Sequence, residues 1–100
     1  MEKCLKQLAN NQVVVCEYID YGETRYEFYS YNRLIAVFYT SNGETKESLR
    51  LTDLYDYSRT TSKWLKVFLN DICGFYYENT KELKKYIAQG GTNNVVIQVV

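Results

Sequence analysis

The sequence predicts an α+β fold: a small antiparallel sheet of three to five strands packed against a central amphipathic helix, with short N-terminal and C-terminal helices. Three observations carry this reading. Leu65, Phe68, Leu69 and Ile72 recur at i, i+3, i+4 and i+7, the spacing of one buried helical face. Strand-like segments lie ahead of that face for it to cover. Between two of them, Ser41-Asn42-Gly43-Glu44 is a hairpin signal, because Asn-Gly suits a two-residue primed turn. The chain has 100 residues, enough for one domain with one modest core. No linker and no internal repeat is visible, so residues 1–100 read as a single domain.

The first ten residues read as a short helix, with Cys4, Leu5 and Leu8 as its apolar stripe and Asn10-Asn11 as its stop. Gln12 to Asp20 reads as a strand, opened by the stiff β-branched run Val13-Val14-Val15. Tyr21-Gly22-Glu23 is a turn signal. Thr24 to Tyr31 alternates Tyr26 and Phe28 with Arg25, Glu27 and Tyr29, the period of a second strand. Asn32-Arg33 is a tight connection. Leu34 to Tyr39 is apolar at every position, the pattern of a central strand covered on both faces. Thr45 to Thr52 returns as a strand with Leu49 and Leu51 on one side.

The main helix follows. Ser58 is its N-cap, with Thr60 or Thr61 as later starts, and Gly74 its C-cap. Asn79 and Glu82 have the spacing of a capping box for a further helix. Leu83, Tyr86 and Ile87 form its apolar face, and Gly90-Gly91 ends it. The tail from Asn94 to Val100 is Val-rich and strand-like. Left unpaired it is an aggregation hazard.

Composition bounds the chemistry. Formal net charge is zero, without the Lys and Arg excess of a strongly basic nucleic-acid binder. There is no histidine, which removes the commonest general base and zinc ligand and any Ser-His or Cys-His pair. Cys4, Cys16 and Cys73 lack CxxC spacing and read as reduced, buried small apolar thiols. Asp53 and Asp56, with Glu47, have carboxylates for a hard cation, but no Gly-punctuated calcium loop accompanies them. They read as strand-end and pre-helix acids. Thr60-x-x-Lys63 echoes a Ser-x-x-Lys nucleophile pair without its partner motifs. No enzyme, cofactor or metal is expected. The N-terminus lacks a signal-peptide apolar core and no apolar run is bilayer-length, so the expectation is a cytoplasmic protein with no membrane partner.

Two surfaces invite a partner. Eleven tyrosines in the chain exceed what a small core needs. Tyr29, Tyr31 and Tyr39 fall on neighbouring strands and suit a protein interface or, if they share a face, a stacking platform. Arg59, Lys63 and Lys66 recur at i, i+4 and i+7 beside the hydroxyls of the helix start. The plain alternative is capping and a solvated helix face. The expected partner-binding set is Tyr29, Tyr31, Tyr39, Arg59 and Lys63. The alternative is nucleic-acid binding through Arg59, Thr60, Lys63 and Lys66. A homodimer through the C-terminal strand is a third possibility.

Ser30-Tyr31-Asn32-Arg33-Leu34-Ile35-Ala36 resembles a Ser-Tyr-x-x-x-Ile-Ala signature. Tyr57-Ser58-Arg59-Thr60-Thr61-Ser62-Lys63, followed by Leu65, Phe68 and Leu69, resembles the Tyr-Ser-x-Thr-Thr-x-Lys-His-Leu-x-x-Phe-Leu block that follows it. Together they resemble a family of small uncharacterised proteins of phages, plasmids and other mobile elements of Gram-positive bacteria. The match covers about residues 28 to 69. The His of that block is Trp64 here, so any role of its imidazole is absent. The resemblance implies a mobile-element origin and no particular activity. With the missing catalytic groups and the excess of Tyr, it leads to a non-enzymatic protein that occupies a partner. Anti-CRISPR-like inhibition of a host defence factor is one concrete form.

Overall fold

A computed structural model describes residues 3–19, 22–40 and 46–100. Six strands form one sheet in sequence order: β1 (Lys3–Ala9), β2 (Gln12–Tyr18), β3 (Thr24–Ser30), β4 (Arg33–Tyr39), β5 (Glu47–Leu51) and β6 (Val95–Val99). The first five make an antiparallel meander, and β6 joins β5 in parallel. A parallel neighbour needs a crossover. Here it is built from α1 (Arg59–Val67), a π-helical turn (Phe68–Ile72) and α2 (Thr80–Ala88).

The helices cover one face of the sheet. Val14, Phe28, Ala36, Phe38, Leu49, Leu51, Val95 and Ile97 meet Leu65, Phe68, Leu69, Phe75, Tyr77 and Leu83 there in one core. Phe28 and Phe68 stack across the layers, with ring centroids 5.4 Å apart. Ile35 reaches the same core because a bulge lets two residues of β4 oppose Tyr29. The carbonyls of Leu34 and Ile35 both accept from the Thr52 hydroxyl, which holds the bulge.

Several expectations are overturned. The sheet has six strands and is mixed, not three to five and antiparallel. Residues 3–10 do not form a helix. They hold the edge strand β1, hydrogen-bonded to β2. Cys4, Leu5, Lys6 and Gln7 are all exposed, so no buried face imposes a period of two on them, and a chance helical stripe stood in its place. Asn11 does take positive φ, as the turn between two strands and not as a helix stop. The central helix of the prediction is one of two short helices in a shared layer. α2 is not terminal, because β6 follows it.

The turn after β3 is displaced by one residue. Tyr31 and Asn32 both take positive φ, as a primed two-residue loop requires. The Leu34–Tyr39 run is an interior strand but is not covered on both faces. Leu34, Val37 and Tyr39 are half-buried on the face away from the helices. The Asn42-Gly43 turn, Tyr21 and Thr45 lie outside the described residues.

Other expectations hold. Leu65, Phe68 and Leu69 are buried. Ser58 caps α1 by accepting from the Thr61 amide at 3.1 Å, and Asn79 caps α2 by accepting from that of Glu82 at 2.9 Å. Gly74 takes positive φ beyond the π-helical turn. Gly91 does more than end α2. It bridges to Val96, the Gly90 carbonyl accepts from the Ile97 amide, and the Thr92 amide donates to Val95. This turn lies against the outer edge of β6 at Val95 and Ile97. A Cβ on Gly91 would sit 2.0 Å from the Val95 carbonyl oxygen.

Candidate functional site

Alternate residues of the strands point away from the helices and form a second face. Its register is set by the ladders. One row across the sheet runs Glu17, Arg25, Tyr39, Ser48, Val96. The next runs Leu5, Val15, Glu27, Val37, Arg50, Gln98. A third holds Gln7, Val13, Tyr29 and Leu34. Val13, Val15, Tyr29, Leu34, Val37 and Tyr39 are half-buried, and none belongs to the core or packs against it. Among the described residues no element covers this face.

Polar residues order it. Arg25 donates to the Glu17 carboxylate at 2.6 Å and stands opposite Tyr39 in the β3–β4 ladder. The Arg50 guanidinium lies over the Tyr39 ring, 5.9 Å from its centroid. Partial burial pushes the Tyr29 phenol up from its ordinary range, and the neighbouring Glu27 carboxylate adds to the shift. Such cross-strand pairs hold side chains in place without closing the face to a partner.

The expected partner-binding set divides between the two sides of the molecule. Tyr29 and Tyr39 lie on the open sheet face. Tyr39 stands opposite Arg25, four residues from Tyr29, so the two rings are roughly 13 Å apart along the strands. They do not form a shared stacking platform. Tyr31 is exposed in the β3–β4 turn. Arg59, Lys63 and Lys66 belong to the helix layer, on the opposite side. They line a groove of about 600 Å³ that runs between the starts of the two helices, with Ser58, Tyr77, Glu78 and Asn79 also on its walls.

The wall on the α2 side is held by Asn70 in the π-helical turn. Its side-chain amide donates to the Tyr77 carbonyl at 3.2 Å and accepts from the Tyr77 amide at 3.3 Å. Asp56, also on the groove, pairs with Lys84 at 2.9 Å. Lys63 lies over the Trp64 ring, 5.2 Å from its centroid. Arg59, Lys63 and Lys66 have no ion-pair partner among the described residues.

The hydroxyl cluster at the helix start has a structural account. Thr61 is fully buried and its Oγ1 lies 3.0 Å from Ser30 Oγ and 3.0 Å from Ser58 Oγ. The helix start is thereby joined to the end of β3. Ser30 opens the first signature block and Thr61 lies in the second, so the two blocks meet in space. Thr60, by contrast, is exposed. Gln12, opposite Ser30 in the β2–β3 ladder, is also fully buried, with its side-chain amide unpaired. Nothing in the local sequence marks it as interior.

Glu47, Asp53 and Asp56 do not converge. Glu47 faces the helix layer near Cys73, whose thiol burial pushes up. Among the described residues no three His, Cys, Asp or Glu side chains come close enough to hold a metal. The expectation of three buried thiols fails at Cys4, which is exposed on β1. No helix among the described residues is long and apolar enough to cross a membrane.

No curated protein and no solved structure matches this chain. A family does match, over residues 4–90, from the edge strand to the end of α2. That span takes in both faces of the sheet and the groove, and the chain belongs to DUF8033, a family of unknown function.

Proposed function

We propose that this is a non-enzymatic binding protein that occupies a protein partner through the open face of its sheet. One observation carries the reading. Six of the fifteen outward positions in the three rows are apolar or aromatic and half-buried, and among the described residues no layer covers them. An apolar surface of this kind, with Arg25 and Glu27 set among its apolar residues, suits a protein interface. Tyr29 and Tyr39 remain in the proposed contact. Arg59 and Lys63 leave it, because they belong to the opposite side. A mobile-element origin, and inhibition of a host defence factor as the purpose of binding, rest on the family resemblance alone and are narrower forms of this proposal.

The test is affinity capture from host lysate with three forms of the full chain: native, Tyr29→Ala/Tyr39→Ala, and Arg59→Glu/Lys63→Glu. The proposal expects a partner held by the native and helix-layer forms and lost from the sheet-face form. Equal recovery by all three overturns it.

A second reading is favoured by the groove. Arg59, Lys63 and Lys66, without an ion-pair partner among the described residues, line a groove between two helix starts and suit a phosphate backbone, with nucleic acid as the ligand. Its signature is salt. Binding to DNA or RNA would fall steeply with ionic strength and be lost in Arg59→Glu/Lys63→Glu. A native protein that shifts neither nucleic acid at low salt ends this reading.

A further inference from the structure

Cys4 and Cys16 stand directly opposite each other in the β1–β2 ladder. Opposing Cα atoms of an antiparallel pair are about 4.5 or 5.5 Å apart, within the roughly 4.4–6.8 Å that a disulfide spans. Both side chains point to the helix side of the sheet. Both are free. Their surroundings differ. Cys4 is exposed on the edge strand, while Cys16 is 4% exposed on the next strand inward. Cys73 lies apart, packed against the core under the helices.

We propose that Cys4 and Cys16 form a peroxide-responsive thiol pair in which Cys4 meets the oxidant and Cys16 closes a disulfide across the edge strand. In the first step the Cys4 sulfur attacks one oxygen of hydrogen peroxide. The O–O bond breaks, Cys4 becomes a sulfenic acid and one water leaves. In the second step the Cys16 sulfur attacks the Cys4 sulfur, the S–O bond breaks, and the hydroxyl leaves with the Cys16 thiol proton as a second water. Two thiols are oxidised by two electrons in all, and one peroxide is reduced. An accessible cysteine with a resolving thiol beside it is the arrangement that stops oxidation at this reversible level. Burial of Cys16 keeps its thiol protonated and shielded until the neighbouring sulfur is oxidised. The bond would fasten the outermost strand to the sheet. Leu5, which points to the other face, would stay available to a partner.

The experiment treats the native full chain with hydrogen peroxide, unfolds it, and counts thiols with a maleimide. The expected result is a fall from three labels to one, with an intact mass lower by two hydrogens and a peptide joining Cys4 to Cys16 that dithiothreitol separates. Cys73→Ser should fall from two labels to none. Cys4→Ser, altered only at an exposed site, should keep both of its labels and gain no crosslink. The proposal is overturned if all three thiols still label. It is equally overturned if Cys4 accumulates as sulfinic acid while Cys16 labels, or if the product is a disulfide between two chains.

Discussion

The two faces of this sheet come from the same strands and differ only by one residue of register. On the helix side, Phe28, Phe38, Leu49 and Leu51 are fully buried against Leu65, Phe68 and Leu69. On the other side, Val15, Val37, Tyr29 and Tyr39 alternate along the strands with inward-facing residues and are left half-buried. The first set stabilises the fold. The second exposes apolar surface that the fold does not use. The contrast teaches where to separate stability from binding: substitutions on one face should report on folding, and on the other on a partner.

The largest effect belongs on the covered face. Phe68→Ala removes the ring stacked on Phe28 and should cost about 3–5 kcal/mol in denaturant unfolding. A loss under about 1 kcal/mol would mean that the helix layer does not seat there. Next comes the junction between the layers. Thr61→Val keeps the volume but removes the hydroxyl joining Ser30 to Ser58, and should cost about 1–3 kcal/mol. If Thr61→Val matches the native midpoint, the join between the two signature blocks contributes nothing to stability.

On the open face the expectation reverses. Val37→Thr should change stability by less than about 0.5 kcal/mol, as surface substitutions commonly do. It should weaken partner recovery together with Tyr29→Ala/Tyr39→Ala. A large stability loss at Val37 would show that this face is covered after all, and would break the comparison.

The smallest effect is a pH dependence from Glu47, which lies on the covered side at the start of β5. Burial pushes its carboxyl up from the ordinary carboxylate range. The folded state then binds this proton more tightly than the unfolded chain. Stability from this group is therefore greatest when it is protonated and declines as pH rises through the shifted value. Glu47→Gln should flatten that slope in unfolding curves taken between acid and neutral pH. It should also raise the neutral-pH midpoint slightly.

How much was legible follows the same division. The helix layer was readable because burial imposes a period, and Leu65, Phe68 and Leu69 keep it. The caps at Ser58 and Asn79 were readable because they depend on neighbours in sequence. β1 was not, since an edge strand exposed on both sides has no pattern to keep. The all-apolar run Leu34–Tyr39 was misread as doubly covered, because sequence reports that residues are apolar and not whether anything lies over them. The site was legible in its tyrosines and cations, but not in their placement on opposite sides. Gln12 and the Cys4–Cys16 pair needed the ladder register, a long-range property.

The turn at Gly90-Gly91 bears on how copies of this chain can associate. It already bonds the outward carbonyl of Val95 and the outward amide of Ile97, so a strand from another molecule would find these two groups taken. The opposite boundary, β1, has no neighbour beyond it among the described residues. Strand addition therefore meets less obstruction at β1 than beside Val95 and Ile97. Two copies joined β1 to β1 would cover both of these open edges and leave outward only the edges that the Gly90-Gly91 turns partly occupy.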